Sequence, residues 1–389
     1  MSNCWMREVR LSSSVPNYGN HCYIKFLALF LEKVVGYTFI SETVNTGSYR
    51  TYEKNGTGGA FAGSTFVFTR SGGDSTFAVT DVGKWILIKD ATNPVNSGWY
   101  KIVGYTDANT ISIDFRSLPT EYPVAASSLS WWLMAEAYSI PSVDLNSITY
   151  QTPHADAWQI NIQSYNGNGT LWVTVALDGN FSSGKVLGGC YFKTSYTGGG
   201  ANLYMYALAN TEGSMLHFFC YAYDTKTGYC GLTSVLPITP YDTGHVNTEK
   251  WGLFGKSGAD NSALSRSSTD FGLGRIWLER KRVQRNAYML DWSLNGAPNA
   301  FVYGNAPGQS GTDLNSRLNK NEFFVGTPIV LDPNNASEEF EMYGVVSGHY
   351  TLRGGGFVAL TPMKRLVDRD VIYLNNGIAL DWPSVTPQF

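Results

Sequence analysis

The sequence predicts a mainly β protein, built as several β-sandwich or β-barrel-like modules with one N-terminal helix. Three observations carry this. Gly occurs 41 times beside 24 Tyr, 20 Phe and 11 Trp; aromatic residues suit pleated surfaces and Gly suits tight turns. The apolar runs are short, many alternate with polar residues, and segments rich in Asn and Gly separate them. Only one stretch has the length and patterning of a helix.

At 389 residues the chain exceeds what one compact core ordinarily serves, so several domains are expected. Four segments follow from the changes in pattern. Residues 1–45 form an N-terminal helical docking arm, 46–148 a β-module, 149–292 a larger β-sandwich domain, and 293–389 a C-terminal β domain.

The helix lies between Tyr23 and Tyr37, YIKFLALFLEKVVGY, after Pro16, Asn17 and Gly19 and before a stop at Gly36. Ile24, Leu27, Leu31, Val34 and Val35 define one apolar face, while Phe26, Leu29 and Phe30 fall largely outside it. A helix apolar nearly all round must be buried on more than one side. It is either packed between domains of its own chain or docked into a neighbour. The second arrangement is the expectation, and it makes Phe26, Leu29 and Phe30 an assembly interface.

In the second segment STFVFTRSGGDSTF gives one strand ended by Gly72 and Gly73. DVGKWILIKDATNPVNSGWYKIVGYTDANTISIDF gives three more, separated at Asn93–Gly98 and Thr106–Asn109. Ile111, Ile113 and Phe115 alternate with Ser112 and Asp114, the mark of a half-buried strand. The third segment supplies AWQINIQSY, GTLWVTVAL, ANLYMYALA, MLHFFCYAY and GRIWLERKRV. The last follows a long Gly, Asn, Ser and Pro stretch with EFFVGTPIVL, EFEMYGVV, FVALTPM and DVIYLNNGIAL. No period of 20 to 50 residues repeats, which disfavours a propeller or solenoid.

Charge excludes some functions. Charged residues make up 15% of the chain and the net charge is −3, against about 25% charged in ordinary soluble domains. The one basic cluster, Arg280, Lys281, Arg282 and Arg285, reads as a solvated strand or turn, and no nucleic-acid partner is expected. Phe26 to Leu31 is too short an apolar run to span a membrane. The first 20 residues are polar, so no secretory leader is visible and synthesis in a cytoplasm is expected.

No cofactor or metal is expected. The five cysteines, Cys4, Cys22, Cys190, Cys220 and Cys230, include no C-x-x-C pair. Cys220 and Cys230 sit on two arms of a hairpin, near each other without facing; buried thiols are favoured and a disulfide stays open. The histidines, His21, His154, His217, His245 and His349, have no metal-ligand spacing. His217 and Cys220 lie three apart on a strand and so point to opposite faces.

No catalytic residue is assigned either. Neither a G-x-S-x-G elbow nor a phosphate-binding Gly loop occurs. Glycan cleavage needs two carboxylates at a defined separation, for which Glu338, Glu339 and Glu341, or Asp368 and Asp370, are candidates; solvated turns are the preferred reading. Trp99 with Tyr100 and Trp131 with Trp132 are candidate sugar-stacking pairs. On a strand, one member of each pair should be core and the other rim.

Val82, Gly83 and Lys84, then Asn96, Ser97, Gly98, Tyr100 and Ile102, then Asp107, Asn109, Thr110 and Ile111 form a pattern: V-G-K-hydrophobic, N-S-G-x-Y-x-I, D-x-N-T-hydrophobic. This segment, about one tenth of the chain, resembles a β-module that recurs in structural proteins of tailed bacteriophages. GHYTLRGGGFVALTP and IYLNNGIALDWPS look like the ends of similar virion proteins. The resemblance implies scaffold duty in a particle and transfers no catalytic residue.

The expectation is therefore a non-enzymatic structural component of a tailed bacteriophage particle, in the tail, baseplate or neck. Its partners would be other virion proteins and copies of itself, and its location the virion. The alternative is a tail adhesin or depolymerase that engages a host-surface glycan.

Overall fold

The computed structural model describes residues 3–11, 20–44, 47–63, 65–93, 96–114, 123–134, 145–153, 159–165, 170–176, 186–193, 203–210, 216–222, 229–240, 251–257, 271–278, 283–289, 324–331, 341–352, 364–366, 371–373 and 378–381. These residues are mostly strand, with one short N-terminal helical segment. The expected fold class is the observed one: mainly β, with a closed barrel.

The barrel contains β3 (Tyr52–Phe61), β4 (Val67–Thr69), β5 (Trp85–Lys89), β6 (Gly98–Asp107), β7 (Thr110–Asp114) and β8 (Ala126–Met134), closed in the order β3-β4-β7-β6-β5-β8. Closure leaves no free edge, which a small isolated sheet would otherwise expose. Alternation fills the interior. Phe68, Ile86, Tyr100, Ile102, Ile111 and Trp131 are all buried in one apolar cluster, and β7 has the predicted alternation, with Ile111 and Ile113 inside.

A five-stranded antiparallel sheet runs in the order β12-β11-β10-β9-β2, with β2 (Thr38–Thr43), β9 (Leu145–Gln151), β10 (Gln159–Tyr165), β11 (Thr170–Ala176) and β12 (Val186–Lys193). Ile148, Tyr150, Ile160 and Ile162 are fully buried. Cross-strand pairing of Ile160 with Tyr150 and of Ile162 with Ile148 puts all four on one face.

The third sheet has twelve strands: β1 (Asn3–Leu11), β13 (Leu203–Asn210), β14 (Leu216–Ala222), β15 (Tyr229–Pro240), β16 (Trp251–Ser257), β17 (Phe271–Leu278), β18 (Val283–Met289), β19 (Phe324–Leu331), β20 (Glu341–Leu352), β21 (Lys364–Leu366), β22 (Val371–Tyr373) and β23 (Ile378–Asp381). Most neighbours in this sheet are also neighbours in sequence. The far half of β15 also pairs with β20, so strands β15 to β20 close a ring of pairings. β18 pairs with β19, carrying the sheet across residue 293. In the β14–β15 hairpin Cys220 opposes Gly231, and Cys230 occupies the adjoining bulge.

The N-terminal segment joins these sheets. β1 pairs with β13 at one margin of the twelve-stranded sheet, and β2 is the outermost strand of the five-stranded one. Between them lie helix α1 (Asn20–Leu29) and a π-helical stretch, Phe30–Val35. The predicted stop is observed: Gly36 has φ 96°, a left-handed conformation open to Gly, and Leu31 O accepts from both Gly36 N and Tyr37 N at 2.9 Å.

Candidate functional site

The segment with the V-G-K, N-S-G-x-Y-x-I and D-x-N-T elements forms one wall and one rim of the barrel. Its first element, Val82-Gly83-Lys84, follows a 3-10 turn at Val79–Asp81. Asp81 is fully buried there. Its carboxylate accepts from Ala78 N at 2.9 Å, from Lys54 Nζ at 2.6 Å and from Lys84 Nζ at 3.4 Å, and Lys84 also reaches Glu53 at 2.6 Å. A buried carboxylate is tolerable only with such partners. Gly83 N and Lys84 O then bond Ile102 on β6 at 2.8 and 2.9 Å, tying turn to wall.

The second element builds a buried polar knot. Asp90 Oδ1 accepts from Thr92 N and Asn93 N, both at 2.8 Å, in an Asx-type turn. Asp90 Oδ2 accepts from Asn96 Nδ2 at 2.8 Å. Asn96 also donates to Val124 O and accepts from Val124 N, each at 2.9 Å, so it substitutes for a strand partner. Ser97 Oγ accepts from Asp90 N at 2.9 Å, and Tyr100 Oη donates to Asn96 O at 2.6 Å. Gly98 has φ 139°, a conformation that side chains strain against.

The third element is a hairpin turn. Asp107 Oδ1 accepts from Asn109 N at 2.7 Å, while Arg70 donates from Nε to Ala108 O at 2.8 Å. Nearby, Asp74 accepts from Thr57 N and Gly58 N at 2.9 Å and from Trp131 Nε1 at 3.1 Å. Burial opposes ionisation of Asp74, but these donors outweigh it and hold the carboxyl below its ordinary range.

The outer face of β5 and β6 is where the helix docks. Phe26 meets Trp85 and Trp99 edge-on, with ring centroids 5.3 and 4.9 Å apart, and Trp99 Nε1 donates to Phe26 O at 3.0 Å. Phe26, Leu29 and Phe30, the residues expected at an interface between subunits, are each 0% exposed within their own chain. Of the two arrangements that the all-round apolar helix allowed, the observed one packs it between elements of the same chain. The barrel wall takes one side, and β9 and β10 approach from another.

An ionic cluster closes this junction. Glu32, on the π-helical stretch, accepts from Arg50 Nε at 2.5 Å and Nη2 at 3.0 Å, from Lys33 Nζ at 2.7 Å and from Tyr150 Oη at 3.4 Å. The Arg50 guanidinium lies 3.9 Å from the centre of the Phe39 ring. Burial raises the Glu32 pKa, yet Arg50 and Lys33 more than offset it and hold the carboxyl below its ordinary value. Burial, with Glu32 beside it, pushes the Tyr150 hydroxyl far above its ordinary range.

The candidate sugar-stacking pairs divide differently from expectation. Trp131 is core and Trp132 half-buried, the predicted split, but Trp99 and Tyr100 are both buried, at 2% and 1% exposure. Tyr100 fills the barrel and Trp99 lies under the helix, so neither offers a ring face to a sugar. Of the candidate carboxylates, Glu338, Glu339, Asp368 and Asp370 lie outside the described residues, and Glu341 is described only as the first backbone position of β20. His154 and His245 also lie outside them. Among the described residues no three His, Cys, Asp or Glu side chains converge as a metal site would require, and no helix is long and apolar enough to cross a membrane.

Sequence reasoning missed Glu32 with Arg50, and Asp74 with Trp131. Both contacts join residues far apart in the chain, and nothing local marks them. The Asp90 knot did leave a trace, since Asp-x-x-Asn followed by Asn-Ser-Gly is turn chemistry. No protein-family model, curated protein or solved structure matches this chain.

Proposed function

We propose that the chain is a non-enzymatic structural subunit of a tailed-bacteriophage particle, placed at the tail, baseplate or neck. One observation supports this most: the residues that carry the resemblance are occupied in holding a barrel together. Lys84 joins Lys54 at buried Asp81, Asn96 bridges two segments that are not neighbours in sequence, and Tyr100 fills the interior while its hydroxyl secures the rim. Such a motif encodes the shape of a module rather than a reaction. Low charge and broad continuous sheets suit a chain whose work is to be packed among others.

The competing reading, a glycan-binding adhesin or depolymerase, makes a different prediction. Purified protein is incubated with host envelope polysaccharide, and both reducing-sugar release and retention on immobilised glycan are measured. The structural reading expects neither. Turnover that disappears in Asp368→Asn or Asp370→Asn would replace it with the depolymerase reading.

A further inference from the structure

We propose that the outer edge of β2 is a self-association surface, pairing antiparallel with β2 of a second copy of this chain. Such a surface is independent of the virion reading.

β2 hydrogen-bonds to β9 on one side, and among the described residues no other backbone hydrogen bond involves Thr38–Thr43. An open edge presents a row of N–H and C=O groups that only an extended backbone can pair in series. The usual guards are thin here. TFISET contains no Lys and no Pro, and its one charge, Glu42, is half-buried and accepts from Tyr49 N at 3.3 Å. A bulge at Ile40 is the remaining guard, and it keeps the pairing short.

The strand is already anchored to its neighbours. Phe39 packs edge-on against Tyr150, 6.3 Å between ring centroids, and lies beneath Arg50. Docking a partner there would order little further chain, which removes one of the main penalties of association. Thr38, Ile40, Ser41 and Thr43 are exposed, Ile40 at 42%.

The occupant follows from faces and charge. Phe39 and Glu42 share the half-buried face. The antiparallel register that aligns the two strands end to end sets Ile40 opposite Ser41 of the partner subunit, Thr38 opposite Thr43 of the partner subunit, and Glu42 opposite Phe39 of the partner subunit, with the bulge interrupting the ladder at Ile40. Like faces stay together in this register. It also brings each Glu42 carboxylate toward the guanidinium stacked on the opposing Phe39, and it separates the two Glu42 residues by three strand positions, about 10 Å. Unlike charges meet and like charges do not.

The test uses the full chain. Sedimentation velocity across a concentration series should show reversible association. Ile40→Lys and Thr38→Lys, two exposed changes that add a charge to the edge, should keep the circular dichroism and weaken association on the order of tenfold or more. Independently, Thr38→Cys and Thr43→Cys chains are mixed, oxidised and digested, and a disulfide joining positions 38 and 43 is sought by mass spectrometry. That link appearing in the mixture supports the register. A monomeric wild type, association unaffected by both Lys changes, or a folded mixture without the 38–43 link would each overturn the proposal.

Discussion

The indole N–H of Trp99 bonds the carbonyl oxygen of Phe26 at 3.0 Å, across 73 positions of sequence. Through this contact helix α1 is fastened to the wall of a barrel formed by later strands. It also explains how consecutive residues Trp99 and Tyr100 can both be buried: one serves the barrel interior, the other the helix contact outside it.

Replacing Phe26 by Ala should therefore destabilise the isolated chain. Removing a fully buried Phe typically costs about 3 to 5 kcal/mol. Trp99→Phe, which keeps a ring but removes the donor, should cost less, about 0.5 to 1.5 kcal/mol from the lost hydrogen bond and the rest from smaller ring area. Urea unfolding of the monomeric fraction measures both. Wild-type midpoints in both variants would mean that the helix does not pack on the barrel.

Asn96 should be among the least replaceable polar residues of the barrel. Asn96→Ala strips partners from Asp90 Oδ2, Val124 N and Val124 O at once, and each buried group left unpaired costs about 1 to 3 kcal/mol. Ser97→Ala removes fewer bonds and should be milder. Equal, small shifts in melting temperature for the two would show that water replaces Asn96 readily.

Gly98→Ala isolates a backbone effect. With φ at 139°, a side chain there is strained, at about 1 to 3 kcal/mol. Differential scanning calorimetry should show a clear loss of melting temperature. An unchanged value would mean that β6 begins in an ordinary extended conformation.

Much of this barrel was legible in the sequence. Ile111 and Ile113 alternate with polar residues, and Asn96–Gly98 and Asp107–Asn109 are turn chemistry, so β4 to β7 fell where local signals put them, while β3 and β8 were not among the expected strands. The helix was legible as a helix and its stop at Gly36 was legible too. Its partner was not, because surplus apolar residues such as Phe26 and Phe30 say that burial is needed without saying by what. Trp99 and Tyr100 show the same limit: alternation predicts one exposed residue only if nothing covers the second face. The Glu32–Arg50 pair depends on tertiary placement alone.

Acid should act through Glu32. Its folded pKa lies below its unfolded value, ordinarily about 4.3, so the unfolded state binds more protons as pH falls. The resulting stability is present above the unfolded pKa and is lost as pH falls through the folded one. Asp74 shifts in the same direction. At neutral pH Glu32→Gln should lose about 1.5 to 3 kcal/mol by weakening charged hydrogen bonds. Urea midpoints of wild type and variant should converge as pH falls below about 4. Curves that stay parallel would assign the acid sensitivity to other groups.

The central claim is that the chain is a built-in part of a phage particle, and particle composition tests it most directly. Tailed particles from a lysate that produces this protein are purified by density gradient, washed at high salt, and analysed by quantitative mass spectrometry together with immunogold electron microscopy. The account predicts a fixed copy number per particle that survives washing, with label confined to the tail, baseplate or neck. Intact, infectious particles that lack the chain would contradict it.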